Sequence, residues 1–124
     1  MGKNKIFTIG LLVVAAGGLF LLIYKPAASP EVVAFAKCLS EKGATFYGAF
    51  WCPRCQEQNA MFGAAKKYLS YVECSTPDGK GQLPVCQEAN ITGYPTWEFA
   101  DGSRLSGVTP FATLAEKTGC GLPS

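Results

Sequence analysis

Cys52 and Cys55, in the segment Tyr47-Gly48-Ala49-Phe50-Trp51-Cys52-Pro53-Arg54-Cys55-Gln56-Glu57, have types and spacing suited to redox chemistry. An apolar run leads into the first cysteine, and Pro53 suits the first turn of a helix, where a missing N–H costs little. A thiolate at a helix N-terminus is stabilised by unpaired backbone N–H groups and by the positive end of the helix dipole. Cys52 is therefore the expected nucleophile, with Arg54 adding a favourable positive charge. Two intervening residues put Cys55 one turn along, where it can close a small disulfide with Cys52 or attack a mixed disulfide formed there. The same spacing also serves half of a zinc site or an inert structural disulfide. Zinc needs two more ligands, and a chain without His leaves only a four-cysteine site. Cys74 and Cys86 are too far apart in sequence to form a second tight knuckle, so no metal is expected. An inert disulfide stays open, although a strand running straight into Trp51-Cys52-Pro53 is an odd place for one.

These residues must be carried by a small domain. The chain has 124 residues, and the first twenty-five read as a membrane segment: Ile6 to Tyr24 carries no charge, with Lys3 and Lys5 before it and Lys25-Pro26 after it. A run of about 20 apolar residues spans a bilayer core as a helix. The competing secretory signal has a shorter apolar region ending in an A-x-A-like site, which Pro26-Ala27-Ala28 matches poorly. The sequence favours an uncleaved anchor over residues 1–25, with a linker over 26–30 and a domain over 31–124. Two lysines before the segment against one after it put the N-terminus in the cytoplasm and the domain outside. The net charge of +2 comes from these three lysines. The rest is nearly neutral, which argues against nucleic acid as a partner.

Six cysteines in so small an exported region agree with an oxidising compartment. Cys74 and Cys86 flank a Pro/Gly-rich loop, Ser75 to Pro84, and a structural disulfide between them would pin it at about 3 kcal/mol on the loop-closure model. Cys38, on the apolar side of an expected helix, and Cys120, near the end, either pair or stay free.

Periodicity gives a helix over Glu31 to Lys42, stopped by Gly43, and a buried strand over Ala44 to Trp51. A second helix is expected from Pro53 to Leu69, carrying the cysteines at its head. Tyr71 to Cys74 reads as a short strand and Val85 to Ala89 as a brief helix. Thr96 to Ala100 and Ser103 to Gly107 read as a hairpin with Asp101-Gly102 as a two-residue turn. Pro110 to Lys117 closes as a helix. This order predicts an α/β sandwich with a parallel crossover followed by an antiparallel hairpin.

Phe50-Trp51-Cys52-Pro53-Arg54-Cys55 resembles the active-site segment of thioredoxins, and Ile91-Thr92-Gly93-Tyr94-Pro95-Thr96 resembles the cis-proline segment of that superfamily. More narrowly, these segments and Phe35-Ala36-Lys37-Cys38-Leu39 look like the thioredoxin-like domain that accompanies bacterial and plant homologues of vitamin K epoxide reductase. The resemblance covers residues 31 to 119. It implies a thioredoxin-like fold, a mixed four-stranded sheet flanked by helices, behind the N-terminal membrane helix. It further implies a cis Tyr94-Pro95 bond beside Cys52, and a substrate groove shaped by Trp51, Pro53, Arg54, Tyr94 and Pro95. The implied activity is thiol–disulfide exchange with protein substrates, with no cofactor beyond the Cys52–Cys55 disulfide. The implied partner is a quinone-linked membrane oxidoreductase resembling vitamin K epoxide reductase, in a periplasm or lumen.

Two departures bear on direction. Thioredoxins carry a buried acid six residues before the first active-site cysteine, and Phe46 stands there; no other buried acid is evident nearby, and Glu57 is expected in solvent. Pro53-Arg54 replaces the Gly-Pro of reducing thioredoxins. Both favour the reduced form and hence a stronger oxidant. The alternatives are a membrane-tethered reductase and a non-catalytic binding domain with a structural Cys52–Cys55 bond.

Overall fold

The computed structural model describes residues 27–124. The expected anchor over 1–25 lies outside them. Among the described residues no helix is long and apolar enough to cross a membrane. Helix α1 spans Pro30–Glu41, with the Ser29 hydroxyl accepting from the Val32 N–H at 3.3 Å. The last residues of the expected linker thus serve as cap and first helical turn, a use to which serine and proline are well suited. Gly43, at φ 80°, reverses the chain, and the Ala44 N–H bonds back to the Leu39 carbonyl.

Strand β1 covers Thr45–Gly48, shorter than the expected run to Trp51. The chain turns after Gly48, and the Cys52 N–H closes on the Ala49 carbonyl at 3.1 Å. Helix α2 spans Pro53–Phe62 and stops at Gly63, whose φ of 55° and ψ of −130° break the helical register. A 3-10 segment, Gly63–Tyr68, completes what the apolar periodicity suggested was one helix. Strand β2 is Ser70–Glu73, helix α3 Pro84–Glu88, β3 Thr96–Glu98, β4 Arg104–Ser106 and α4 Phe111–Thr118. The hairpin between β3 and β4 differs from expectation: Glu98 pairs with Arg104, and the Phe99 N–H reaches the Ser103 carbonyl. That leaves three loop residues, Ala100 to Gly102. Asp101 takes the Ser103 N–H on its side chain, and Gly102, at φ 82°, supplies the left-handed position of a bulged turn.

The sheet order is β2-β1-β3-β4, with β1 and β2 parallel and the other pairs antiparallel. Alternation along the strands divides the core in two. On one face Phe46 stacks on Trp97 at 5.0 Å, and Phe62, Phe35 and Phe111 bring in α2, α1 and α4. Buried Gln58 ties α2 to this face: its amide oxygen accepts from the Trp97 indole and the Thr109 N–H, and its amide nitrogen donates to the Thr109 carbonyl. On the other face Tyr47 and Val72 pack on a small cluster of Cys74, Cys86 and Ile91.

Candidate active site

The turn after β1 delivers Cys52 to the N-cap of α2, where its sulfur accepts the Cys55 N–H at 3.3 Å. Peptide N–H groups at a helix start are otherwise unpaired, so this sulfur sits where negative charge is favoured. Cys52 and Cys55 are the two free thiols. Cys38 pairs with Cys120, and Cys74 with Cys86. The Cys38–Cys120 connectivity, open from sequence, is thereby assigned. With Cys38, Cys74, Cys86 and Cys120 bonded in two pairs, Cys52 and Cys55 are two thiols where the zinc site considered above needs four. Cys55 is the more enclosed thiol, 1% exposed against 5% for Cys52. Burial first, then the hydrogen bond with Cys52, pushes the Cys55 thiol up to about 12.

The segment before β3 forms the opposite wall. The Tyr94-Pro95 peptide bond is cis, and the Cys52 thiol donates to the Tyr94 carbonyl at 3.7 Å. Trp51, 47% exposed, meets the Tyr94 ring edge-on at 6.1 Å. Phe50 stands open to solvent beside it, at 54%. Pro95 is buried and Pro53 exposed. Arg54 lies on the open surface in an ion pair with Glu57 at 3.4 Å, an arrangement that contributes little in water.

Several residues of this constellation were not singled out from sequence. Glu73, at the end of β2, is a half-buried acid near the cysteines. Its carboxylate accepts from the Phe50 N–H at 3.1 Å, the Ser75 N–H at 2.9 Å and the Tyr71 hydroxyl at 2.6 Å. Phe46 occupies the strand position of the usual acid, fully buried against Trp97. Ser75 accepts the Trp51 indole N–H at 2.8 Å, and Gln82 donates to the Tyr94 hydroxyl at 2.8 Å. Ser75 and Gln82 also pair with each other across the neck of the disulfide-closed loop. The loop does more than carry a disulfide: it braces both aromatic walls of the site. No local sequence signal marks Glu73: its place follows from lying beside Gly48 in the parallel register, on the strand leading to Cys74.

No protein-family model matches the chain. A curated relative, the thiol-disulfide oxidoreductase LTO1 of Arabidopsis thaliana, is 50% identical over 101 residues, which cover 77% of this chain and 26% of the relative. That identity comes with the mixed four-stranded sheet and helices described above. The chain belongs to the thioredoxin-like superfamily. Within it, this thioredoxin-like domain groups with those associated with vitamin K epoxide reductase homologues. It spans about a quarter of the length of the curated relative.

Proposed function

We propose that the protein is a thiol–disulfide oxidoreductase in which Cys52 exchanges disulfides with protein substrates and Cys55 resolves the mixed disulfide. The observation carrying this is the N-cap sulfur of Cys52, held against the first turn of α2 and facing the Tyr94 carbonyl, in a protein whose other cysteines outside the pair are all bonded. The name of the Arabidopsis relative supports the same chemistry. Replacing Cys55 with Ala is expected to trap substrates on Cys52, and Cys52→Ser to trap none. A trapping variant that captures no thiol protein would sink the proposal.

The finer reading is a membrane-anchored donor of disulfides outside the cytoplasm, with the N-terminus cytoplasmic and the domain in a periplasm or lumen. It is reoxidised by a quinone-linked partner resembling vitamin K epoxide reductase. Support comes from the uncharged Ile6 to Tyr24 run, the two closed disulfides, which fit an oxidising compartment, and Phe46 in place of a strand acid. Glu73 favours a second reading, the tethered reductase, because a carboxylate near Cys55 assists loss of its proton. The potential of the Cys52–Cys55 pair separates them. About −120 to −180 mV supports donation, and about −270 mV supports reduction.

A further inference from the structure

Cys55 must lose a proton to react, and it is a buried thiol with few places to send one. The titratable groups that face it are Cys52 on its own helix and Tyr71 and Glu73 on β2. Tyr71 and Glu73 are two apart on one strand, so their side chains share a face of the sheet. That is the face toward Cys55. Gly48, the β1 partner of Glu73, is what lets them meet. A β-carbon there would stand 3.2 Å from the Cys55 sulfur, 3.3 Å from the Tyr71 hydroxyl and 2.9 Å from the Tyr71 ring. Sulfur and hydroxyl thus both stand beside one point, the place a Gly48 β-carbon would take. The hydroxyl in turn donates to Glu73 at 2.6 Å. Beyond it a groove of about 870 Å3, lined by Phe50, Gln56, Tyr71 and Glu73 among others, opens the carboxylate to solvent.

Resting on the oxidoreductase reading above, we propose that Glu73, acting through the Tyr71 hydroxyl, takes the proton of Cys55 when the mixed disulfide on Cys52 is resolved. The Cys55 proton passes to the Tyr71 oxygen as the Tyr71 proton passes to Glu73. The Cys55 thiolate then attacks the Cys52 sulfur, the Cys52–Cys55 bond forms, and the bond to the substrate sulfur breaks. The substrate leaves as a thiolate and takes up a proton from water, while Glu73 returns its own through the groove. In this step the Cys55 sulfur is oxidised and the substrate sulfur of the mixed disulfide is reduced, while Cys52 stays disulfide-bonded throughout. Glu73 is a positioning residue, since it acts through the Tyr71 hydroxyl that donates to it. Its negative charge also disfavours the Cys55 thiolate, in addition to burial and the contacts with Cys52. A base and a bare charge therefore predict opposite effects when the carboxylate is removed.

The test uses the reduced protein and an aromatic disulfide that releases a coloured thiolate, first when Cys52 attacks and again when Cys55 displaces the second equivalent. Glu73→Gln keeps oxygen acceptors for Phe50 and Ser75 but is no base. It is expected to slow the second release relative to the first by about 100-fold at neutral pH, the usual scale for a positioned base. At the same time it should make the Cys55 thiol easier to ionise in a pH titration of thiolate absorbance. The rates should converge in alkaline buffer, where hydroxide removes the proton. Tyr71→Phe, which leaves Glu73 in place, should slow the second release comparably, and the double variant should be no slower than either. A second release that is faster or unchanged in Glu73→Gln, or unchanged in Tyr71→Phe, overturns the proposal. Loss of the first release in the unmutated protein would instead overturn the oxidoreductase reading on which it rests.

Discussion

Two cysteine pairs lie within one loop of each other and are built for opposite ends. Cys74 and Cys86 are fully buried, one where β2 ends and one inside α3, and their bond closes a loop whose neck is a Ser75–Gln82 bridge. Cys52 and Cys55 sit at a helix start with an open wall in front of them, and they are free. The difference is one of what each sulfur faces. A sulfur enclosed by Ile91, Val72, Tyr47 and Tyr94 has no attacker, whereas Cys52 stands at a helix N-terminus beside a carbonyl and the exposed Trp51 ring. The closed pair also serves the open one. Through Ser75 and Gln82 its loop orients Trp51 and Tyr94, while Glu73, just before it on β2, holds Phe50.

The contrast breaks most completely at Cys52. Cys52→Ser is expected to abolish turnover in an insulin-reduction assay while leaving the melting temperature nearly unchanged, because it removes reactivity and little packing. Cys38→Ala with Cys120→Ala should do the reverse. That bond spans a sequence separation of 82, and the loop-closure model assigns it about 4.5 kcal/mol, read as a fall in urea-unfolding free energy with Cys52 still reactive. Cys74→Ala with Cys86→Ala is the intermediate case. A separation of 12 gives about 3 kcal/mol, and release of the loop should also alter Trp51 fluorescence and slow exchange at Cys52. Unaltered Trp51 fluorescence would show that the loop does not brace the site.

The smallest effect is at the loop tip. The hydrogen bond from Thr76, then that from the Lys80 N–H, holds the Asp78 carboxyl below its ordinary 3.8. A carboxyl depressed on folding adds stability above its unfolded value, about 3.9. That contribution is lost as pH falls through the lower folded value. Protection of the loop amides, taken against their intrinsic exchange rates, should therefore fall slightly on acidification below about pH 4, and Asp78→Asn should remove the dependence.

The elements legible in sequence were those with a local cause. Pro53 after a cysteine marked the head of α2, and apolar spacing marked α1 and α4. The apolar periodicity continues across Gly63 and hides the break there, although the backbone adopts a conformation no helix contains. Asp101-Gly102 signalled a turn, but its length depended on the Ser103 N–H choosing the aspartate side chain over the strand. Cys52 and Cys55 were legible from spacing alone. Glu73 was not, because its role arises from lying opposite Gly48 in a parallel pairing, and no local pattern fixes that register. The Cys38–Cys120 bond depends likewise on α1 meeting residues more than eighty positions away.

That bond has a mechanical consequence. Residues 121–124 run beside Glu31, Ala34 and Phe35 of α1, so the two ends of the described chain leave the body on the same side. A pull applied between Ala28 and Leu122 would travel along part of α1, cross at Cys38–Cys120 and leave the sheet and the Cys52 turn outside the force path. Stretched from its ends, the protein should yield a short extension from α1 and the tail, and lengthen fully only after the disulfide is reduced.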